Sequence, residues 1–382
     1  MSVIMLHSVG NHNSGWYQNW LSVSLEHFEQ FCKFLHRGRY QTFHLDEWYE
    51  LQKNPHLILK RQIILTFDDG YLDNWVFAYP ILKKYQLKGT VFVNPEFVDP
   101  SSDIRPTLED VWAGKLKKKD LFSLSYLNWE EIKQLDLSGI LDVQSHSMSH
   151  NYYFKSDKIV DFYKGQDEYH WLAWLERQDQ KPFWLTGNQK DFVEVGYPVF
   201  EFGRALGVRR FKPSDDFILA FTAKAQQLIS NKSRNVLNEL KKFSDEFKNS
   251  NIKTGSYESK NEMAERYRYE LFESKRLLEE KLNKKIDFLC WPGGGYNELS
   301  IQISKEAGYK ASTIASRERH NKLDNSQAYK RIQRFGLRSF LDIRGEKKYY
   351  KSKYALIHLF KAKRGSLLNK MLLKIKMMVH TF

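Results

Sequence analysis

Two adjacent aspartates, Asp68 and Asp69, are the first residues in the chain whose types and spacing suggest chemistry. They follow the apolar, β-branched run 62–65, which is typical of a buried strand, and Gly70 then allows the chain to turn. Neighbouring side chains in a strand point to opposite faces, but at a strand end both carboxylates can reach one site. Two adjacent carboxylates repel unless a cation or a shared proton compensates. The alternative is a solvated turn, because Asp-Gly is a common turn dipeptide.

A second pair of candidates, His146 and His150, follows the predicted strand at 141–145. Four residues apart, they share one face if the segment is a helix, or close around one ion if it is a loop. A carboxylate from another strand end would complete two histidines and one aspartate, a suitable ligand set for Zn²⁺ or a similar divalent ion. The alternative is that the two histidines are unrelated polar residues in a serine-rich turn.

The elements that must position these side chains alternate between strands and helices, which is the pattern of a parallel α/β fold. Candidate polar residues follow four of the predicted strands: His7, the two aspartates, the two histidines and the turn at 292–295. A parallel barrel gathers such strand ends on one face, where its active site lies. The predicted strands are 3–6, 63–67, 90–93, 141–145, 288–291, 309–315 and 329–335. Residues 262–282 are predicted to form one amphipathic helix.

These motifs together resemble the polysaccharide deacetylase family (carbohydrate esterase family 4, the NodB-homology domain). The resemblance is carried by Thr-Phe-Asp-Asp-Gly at 66–70, by His-Ser-Met-Ser-His at 146–150 and by a strand that ends in a Pro-Gly turn. It covers about residues 1–150 and 260–340. It implies a distorted (β/α)7 TIM-like barrel, which we expect to span residues 1–345.

The resemblance also implies roles for the candidate residues. Asp69, His146 and His150 would bind a divalent metal ion, most simply Zn²⁺, with Co²⁺, Ni²⁺ or Mn²⁺ as alternatives. Asp68 would act as general base in the hydrolysis of an N-acetyl or O-acetyl group from a sugar. A backbone N–H near Gly70 or Tyr71 would help to stabilise the oxyanion.

The general acid of the family has no obvious equivalent in this chain. Many family members carry that histidine near the C-terminus, where the nearest match here is His358 in a basic tail. We expect His7 to be the acid instead, because it ends the first strand and one branch of the family has its acid there. The alternative for His7 is a structural histidine that bonds to the backbone.

The third motif departs from the family at Cys290, where many members have an arginine that orients the base. Arg331 or Arg334 could take that role. We expect Gly70, Tyr71, Pro292, Gly293 and Tyr296 to contact the substrate. Trp291 is a further candidate, with core packing as its alternative.

Residues 152–255 have a different, aromatic-rich texture, and we interpret them as a large insertion anchored beside His150. We predict helical segments at about 157–178 and 213–249. The insertion would form a lid or a substrate wall, or alternatively a second small core. Its arginines 204, 209 and 210 could contact a phosphate, although a solvated surface is the simpler interpretation.

The formal net charge is +14, and ten lysines or arginines without any acidic residue lie in 347–382. We therefore treat 346–382 as a basic amphipathic tail that binds an anionic membrane surface. A partner protein is an alternative, and we expect no nucleic acid. Two cysteines give no disulfide framework, and we recognise neither a signal peptide nor an apolar run long enough to cross a bilayer. These features predict a cytoplasmic protein, peripheral on the inner face of the plasma membrane.

The predicted function is metal-dependent removal of an N-acetyl group from an amino sugar, lipid-linked or nucleotide-linked, during bacterial surface glycan or lipopolysaccharide synthesis. A deformylase of a lipid-linked amino sugar would use the same site. A glycan- or membrane-binding module that kept the fold without catalysis is the alternative from another class.

Overall fold

The structure, a computed structural model, describes residues 1–12, 14–187, 190–249, 253–314, 330–343 and 346–378. It is a mixed α/β protein with a mainly parallel sheet. The strands are β1 (Ser2–Leu6), β2 (Ser8–Val9), β3 (Ser22–Val23), β4 (Gln41–Phe43), β5 (Gln62–Phe67), β6 (Gly89–Val93), β7 (Leu141–Ser145), β8 (Tyr152–Phe162), β9 (Pro198–Arg204), β10 (Phe211–Pro213), β11 (Gly255–Tyr257), β12 (Phe288–Leu289), β13 (Ala311–Thr313), β14 (Arg331–Ile332), β15 (Arg334–Gly336), β16 (Phe340–Ile343) and β17 (Glu346–Tyr349).

Helices lie between most of these strands. They are α1 (Leu25–Arg37), α2 (Leu45–Lys53), α3 (Tyr79–Lys84), α4 (Leu108–Trp112), α5 (Trp129–Leu137), α6 (Trp171–Glu176), α7 (Asp215–Ser230), α8 (Val236–Asn249), α9 (Lys260–Arg268), α10 (Ser274–Leu282), α11 (Glu298–Glu306), α12 (Ala355–Lys363) and α13 (Leu367–Met378). Within the described residues, no helix combines the length and the apolar character needed to cross a membrane.

Every pairing in the main sheet is parallel, in the order β14, β13, β12, β7, β6, β5, β1, β15, with β4 added beside β5. The carboxyl ends of β1, β5, β7 and β12 therefore face the same side, and the candidate residues follow those ends. The strands at the two ends of this order, β14 and β15, are separated in sequence by Gln333 alone. Ala315 and Tyr329, at the ends of two predicted strands, lie outside the described residues.

The central strands are buried on both faces, as expected for a parallel sheet covered by helices. Every residue of β5 and β6 is buried. Alternate residues enter two different clusters, since Ile63 and Leu65 pack in the large core under the helices whereas Ile64 packs on the opposite side. That opposite cluster takes residues from β1, β5, β6, β12, β13 and β14: Val3, Ile64, Phe92, Phe288, Ala311 and Ile332.

The insertion forms most of a second hydrophobic core, built largely of aromatic rings from β8, β9 and helices α6 to α8. This core also takes in residues from outside the insertion: Trp16, Tyr71, Phe97 and Tyr126. The predicted helix at 157–178 is wrong over its first part, because β8 runs to Phe162 and pairs antiparallel with β9. Cross-strand aromatic contacts such as Phe154 with Phe200, at 5.1 Å between ring centroids, stabilise the pair. The prediction at 213–249 corresponds to α7 and α8. Residues 188–189 and 250–252 of the insertion lie outside the described residues.

The predicted amphipathic helix at 262–282 is interrupted by a π-helical turn. Residues 269–273 form this turn between α9 and α10. A π turn adds one residue to the helical repeat and often occurs at functional sites. It faces Glu270 and Leu271 inward, where both are buried, while Tyr269 stays exposed.

The predicted boundary between residues 345 and 346 falls within the antiparallel hairpin of β16 and β17. Helix α12 of the predicted tail packs on α1, with the Phe360 ring 5.4 Å from Phe31 between centroids. Its Leu356 and Phe360 are fully buried in the main core. Among the described residues of the predicted tail, α13 exposes Leu367, Leu368 and Met371, and Tyr354 before α12 is exposed as well. Residues 379–382 lie outside the described residues.

Candidate active site

The aspartate pair lies where β5 stops pairing and the chain leaves the sheet. The backbone of Asp69 has φ = +74° and that of Gly70 has φ = +69°, so the chain turns sharply after Asp68. A left-handed φ is unfavourable for a residue with a side chain and commonly occurs at functional sites. This turn allows two consecutive carboxylates to face one site, as the sequence predicts.

Arg334 clamps the Asp68 carboxylate with two hydrogen bonds, Nη1 to Oδ1 at 2.6 Å and Nη2 to Oδ2 at 2.8 Å. Both side chains are buried. Arg334 also donates to Thr66 and to the Cys290 sulfur. Burial raises the pKa of Asp68, but the Arg334 guanidinium, followed by His7, outweighs it and holds the pKa below its ordinary value. Arg334, one of the two proposed substitutes for the missing arginine, thus contacts the base candidate.

His146 and His150 lie on an irregular loop after β7, not on a helix. Ser147 and His150 have φ angles of +61° and +52°, which curl the loop back towards Asp69. The Nε2 atoms of His146 and His150 lie 3.1 Å and 3.4 Å from Asp69 Oδ1. Ligand atoms of the three residues lie within 4.8 Å of one another.

The donor set of Asp69, His146 and His150 fits a divalent metal ion. His146 Nδ1 donates to the carbonyl oxygen of Cys290 at 2.8 Å, which leaves the Nε2 lone pair directed towards Asp69. Such a second hydrogen bond fixes the tautomer that a metal-binding histidine requires. Two imidazoles and one carboxylate leave coordination positions open for other ligands.

A second group of possible ligands, Asp68, His146 and Cys290, also has its ligand atoms within 4.8 Å of one another. It fits a cation poorly, because both Asp68 oxygens already bind the Arg334 guanidinium and Arg334 Nη2 lies 3.0 Å from the Cys290 sulfur. A second positive charge there would face an arginine directly.

The charges around the ligand triangle favour a cation. Burial opposes the ionised form of Asp69, but its hydrogen bond to His146 and the charge of His150 hold its pKa far below the ordinary value. Burial also disfavours a charged His146, but Cys290 and Asp69 outweigh that effect and raise the pKa of His146. Burial and then the Arg204 guanidinium lower the pKa of His150, which keeps that ring neutral.

His7 follows β1, and its Nε2 lies 3.8 Å from Asp68 Oδ2. Burial lowers the pKa of His7, although Asp68 and Asp69 oppose this effect. The Asn74 amide donates to its backbone oxygen at 2.9 Å, which anchors the strand end. His358, the other candidate acid, lies on α12, where its ring bonds to Asn369.

Three charged side chains from three different elements, Glu270, Lys181 and Glu96, support the loop that carries His146 and His150. The Glu270 carboxylate accepts hydrogen bonds from the backbone N–H groups of Met148 and Ser149, at 3.1 Å and 3.0 Å. Lys181, from the insertion, is fully buried. Its ammonium donates to the Ser149 carbonyl oxygen at 3.0 Å and pairs with Glu96. The strained loop is therefore fixed by backbone bonds that the sequence motifs do not indicate.

The site opens into a cavity of about 540 Å³, within the range of small-molecule sites. Of the predicted substrate contacts, Tyr71 and Gly293 line this cavity. Pro292 lines a small neighbouring pocket instead, and Gly70 packs against Val93.

Tyr296 is buried, with its ring 5.2 Å from that of Trp291 between centroids. Trp291 is also almost completely buried, although it lines the cavity.

The insertion supplies one wall of the cavity with three residues that were not predicted as site residues, Tyr152, His170 and Trp174, and with Arg204, which the sequence offered as a phosphate contact. The aromatic texture of 152–255 was visible in the sequence, but nothing indicated which rings would face the cavity. Of the three arginines considered for phosphate binding, Arg204 lines the cavity. Arg209 bonds to the Glu258 carbonyl oxygen, and Arg210 lies over the Tyr153 ring.

We predict that Arg334→Met lowers the free energy of unfolding by about 3–5 kcal/mol, because it leaves the Asp68 carboxylate buried and unpaired. Urea denaturation measures this loss. Arg331→Met is the matched control, since Arg331 is three residues earlier in the sequence and exposed. Adding Asp68→Asn should recover part of the loss, and an equally large effect in that background would contradict the pairing argument.

We predict that Lys181→Met weakens divalent metal binding roughly 10–100-fold, the usual effect of losing support behind a ligand. Zn²⁺ titration against a competing chelator measures the affinity, and circular dichroism checks that the variant is folded. Lys158→Met, in the same insertion but in an exposed pair with Glu201, is the control and should change nothing. Unchanged affinity in a folded Lys181→Met protein would contradict the role of this support.

Comparison with known proteins agrees with the motifs. Residues 59–173 match the family model described as polysaccharide deacetylase. The Bacillus subtilis protein YxkH, whose name places it among polysaccharide deacetylases, is 29% identical over 150 residues, or 39% of this chain and 43% of that protein. The poly-beta-1,6-N-acetyl-D-glucosamine N-deacetylase of Escherichia coli K12 is 22% identical over 135 residues, or 35% of this chain and 19% of the relative. The matches thus span less than half the length of these curated relatives.

Two solved structures share the fold. A de-N-acetylase from Aggregatibacter actinomycetemcomitans aligns with a TM-score of 0.50 and 14% identity, over 87% of this chain and 93% of the other. The deacetylase domain of BpsB from Bordetella bronchiseptica aligns with a TM-score of 0.50 and 14% identity, over 88% and 95%. The segment 59–173, which carries both aspartates and both histidines, thus matches the polysaccharide deacetylase family model that its motifs resemble.

Proposed function

We propose that this protein is a metal-dependent deacetylase that removes the N-acetyl group of an amino sugar. One observation carries the proposal: a triangle of metal-ligating atoms from Asp69, His146 and His150 lies beside a carboxylate, Asp68, that an arginine holds outside the triangle. Metal-dependent hydrolysis of an amide requires a set of metal ligands with a separate general base beside it, and this arrangement provides both.

A divalent ion held by the triangle, for which Zn²⁺ suits the two imidazoles, would supply Lewis-acid polarisation of the acetyl carbonyl and of a water molecule. Asp68 then accepts a proton from the attacking water. Its pKa is held low by Arg334, so the carboxylate is ionised and free to do so. Arg334 keeps the carboxylate in one orientation while this happens.

His7 completes the proton path in this proposal. The amine must leave with a proton, and His7 is the histidine beside the base, 3.8 Å from it. Because burial lowers its pKa, His7 is neutral before the reaction starts. The proton that His7 donates to the amine is therefore the proton of the attacking water, which Asp68 accepts first and passes to His7.

The cavity supports a saccharide as substrate. Aromatic rings form much of its wall, among them the stacked pair Tyr71 and Tyr126, and flat rings suit sugar faces. Within the proposal, the substrate is an acetylated sugar on a lipid or nucleotide carrier, used in bacterial surface glycan or lipopolysaccharide synthesis. The relatives named above act on polymers of acetylated sugar where their names state a substrate.

The proposal includes closure of the main sheet into a distorted seven-stranded barrel. Strand β14 pairs with β13, and β15, one residue later, pairs with β1, so the segment 331–336 bridges both edges of the sheet. The shared cluster of inward residues from six strands supports the same closure. In such a barrel the strand ends that carry Asp68 and His146 lie on one face.

We predict that the metal-loaded protein releases acetate from acetylated amino sugars, and that Asp68→Asn lowers this rate by about 10²–10⁴-fold through loss of the base. Asp68→Asn should retain its metal, because Asp68 lies outside the ligand triangle. Acetate release and metal content are measured on the same samples.

Formylated sugar serves as the comparison substrate, because faster release of formate than of acetate would identify a deformylase. A fully active Asp68→Asn protein would exclude the proposed base. Absence of acetate and formate release from every acylated sugar would favour a binding module.

We also propose that α13 holds the protein at an anionic membrane surface, the inner face of the plasma membrane. Its Leu367, Leu368 and Met371 are 74%, 66% and 59% exposed, and Lys370 is exposed beside them. Exposed apolar side chains interspersed with lysine suit the interface of an anionic bilayer. Helix α12 does not share this property, because its apolar side is buried against α1.

We predict that replacing Leu367, Leu368 and Met371 by serine abolishes co-sedimentation with vesicles that contain anionic lipid. The loss follows from removing the apolar side chains that would enter the interface. Leu137→Ser, at an exposed leucine on α5, is the control and should not change binding. Undiminished vesicle binding by the triple variant would assign membrane contact to another surface.

A further inference from the structure

Arg204, the last residue of β9, places a guanidinium at the wall of the cavity without a carboxylate to neutralise it. Nη1 contacts His150 Nδ1 at 3.3 Å, and the guanidinium lies over the Tyr152 ring, 3.8 Å from its centroid. Among the described residues it forms no ion pair with an aspartate or a glutamate. An arginine that is held by one imidazole and one ring keeps most of its five N–H donors unused.

The Pro-Gly turn at 292–295 is shaped around this arginine. A Cβ atom at Gly293 or at Gly295 would collide with the Arg204 side chain. Gly293 also has φ = +54°, a conformation that favours glycine. The turn therefore packs closely against Arg204, which also lies over the Tyr152 ring, and these contacts fix the guanidinium at the wall of the cavity.

Arg204 differs from the other arginines of this region. Arg334 is neutralised by Asp68, and Arg266 is bonded to the carbonyl oxygens of Ala205 and Val208 and to Glu258. Arg338 also lines the cavity, but it is exposed to solvent. Arg204 is thus the cavity arginine that combines a fixed position with unused donors.

The hydrogen bond to His150 leaves other donors of Arg204 unused. An arginine has five N–H donors and no acceptor, and the contact between Nη1 and His150 Nδ1 uses one of them. Arg204 also lines the cavity, so its remaining donors are available to a group bound there.

We infer that Arg204 forms an anion subsite beside the metal triangle, which binds a phosphate attached to the acetylated sugar. This inference rests on the proposed function and specifies its substrate class. A planar, fixed guanidinium matches the oxygens of a phosphate with two parallel hydrogen bonds. A nucleotide-linked and a lipid-linked sugar share this group at the sugar's anomeric position.

The test compares binding of two probes, N-acetylglucosamine and N-acetylglucosamine 1-phosphate, to the zinc-loaded protein by calorimetry. The wild type should prefer the phosphate, and Arg204→Gln should lose roughly tenfold or more of that preference, as for loss of one charge-assisted hydrogen bond. Arg204→Lys should recover part of it. Because zinc itself attracts phosphate, the change between variants is the measured quantity.

Arg210→Gln is the matched control, since Arg210 belongs to the same insertion and also lies over a tyrosine ring, 4.4 Å from the Tyr153 centroid, but does not line the cavity. It should keep the wild-type preference. Equal affinity of the wild type for both probes would overturn the inference. So would a loss in Arg204→Gln that is the same for both probes, because that result indicates a packing role.

Acetate release separates this inference from the proposed function. If the wild type releases acetate but Arg204→Gln retains the phosphate preference, the subsite is wrong and the deacetylase stands. If binding depends on Arg204 but no acetate is released from any acetylated sugar, the proposed function fails and the anion subsite stands. With both supported, kcat/KM for a nucleotide-diphosphate sugar and for a polyprenyl-diphosphate sugar identifies the carrier.

Discussion

The buried ion pair between Asp68 and Arg334 is the constraint on which the site depends. Removing two charges from water costs several kcal/mol per ion, and this cost is offset only by good geometry and by further hydrogen bonds. The fork of Arg334 meets both carboxylate oxygens, and Thr66 and Cys290 take part in the same network. Arg334 pairs in register with Val3 of β1, and the backbone N–H of Asp68 donates to the carbonyl oxygen of Leu6 at the end of the same strand. The pair therefore ties the last strand of the sheet to the strand end where chemistry would start.

This pair also explains how two adjacent aspartates can have different roles. Asp68 has its charge neutralised by a fixed cation from the protein, so it keeps a defined orientation and a low pKa. Asp69 instead faces the two imidazoles of His146 and His150, and the three side chains together can hold a metal ion. The left-handed backbone of Asp69 and of His150 is the local cost of bringing these groups together. Glu270 and Lys181 offset it by fixing the backbone of the histidine loop.

The site residues that the sequence predicts are those that come immediately after a recognisable strand. Asp69, His146 and His150 lie together because parallel strands align their carboxyl ends. The partner of Asp68 could only be narrowed to Arg331 or Arg334, because the choice depends on which residue of a strand faces inward, and a shift of one residue reverses it. Lys181 left no signal, since a buried lysine is recognisable only from the carbonyl and carboxylate that surround it. Residues 157–162 were predicted as helix because their strand pairing is antiparallel and its partner, β9, is distant in sequence.

The insertion belongs to the site and is not an addition to it. Lys181 and Arg204 both come from the insertion, and they contact the backbone before His150 and the ring of His150 itself. The insertion thus reaches the same ligand from two sides, once through a carbonyl and once through a side chain. Both contacts lie next to the same aromatic core, because Trp184, three residues after Lys181, and Phe202, two residues before Arg204, pack against it. A fold that is common to many deacetylases can in this way be varied by the segment that supports the candidate metal site, without any change in Asp69, His146 or His150.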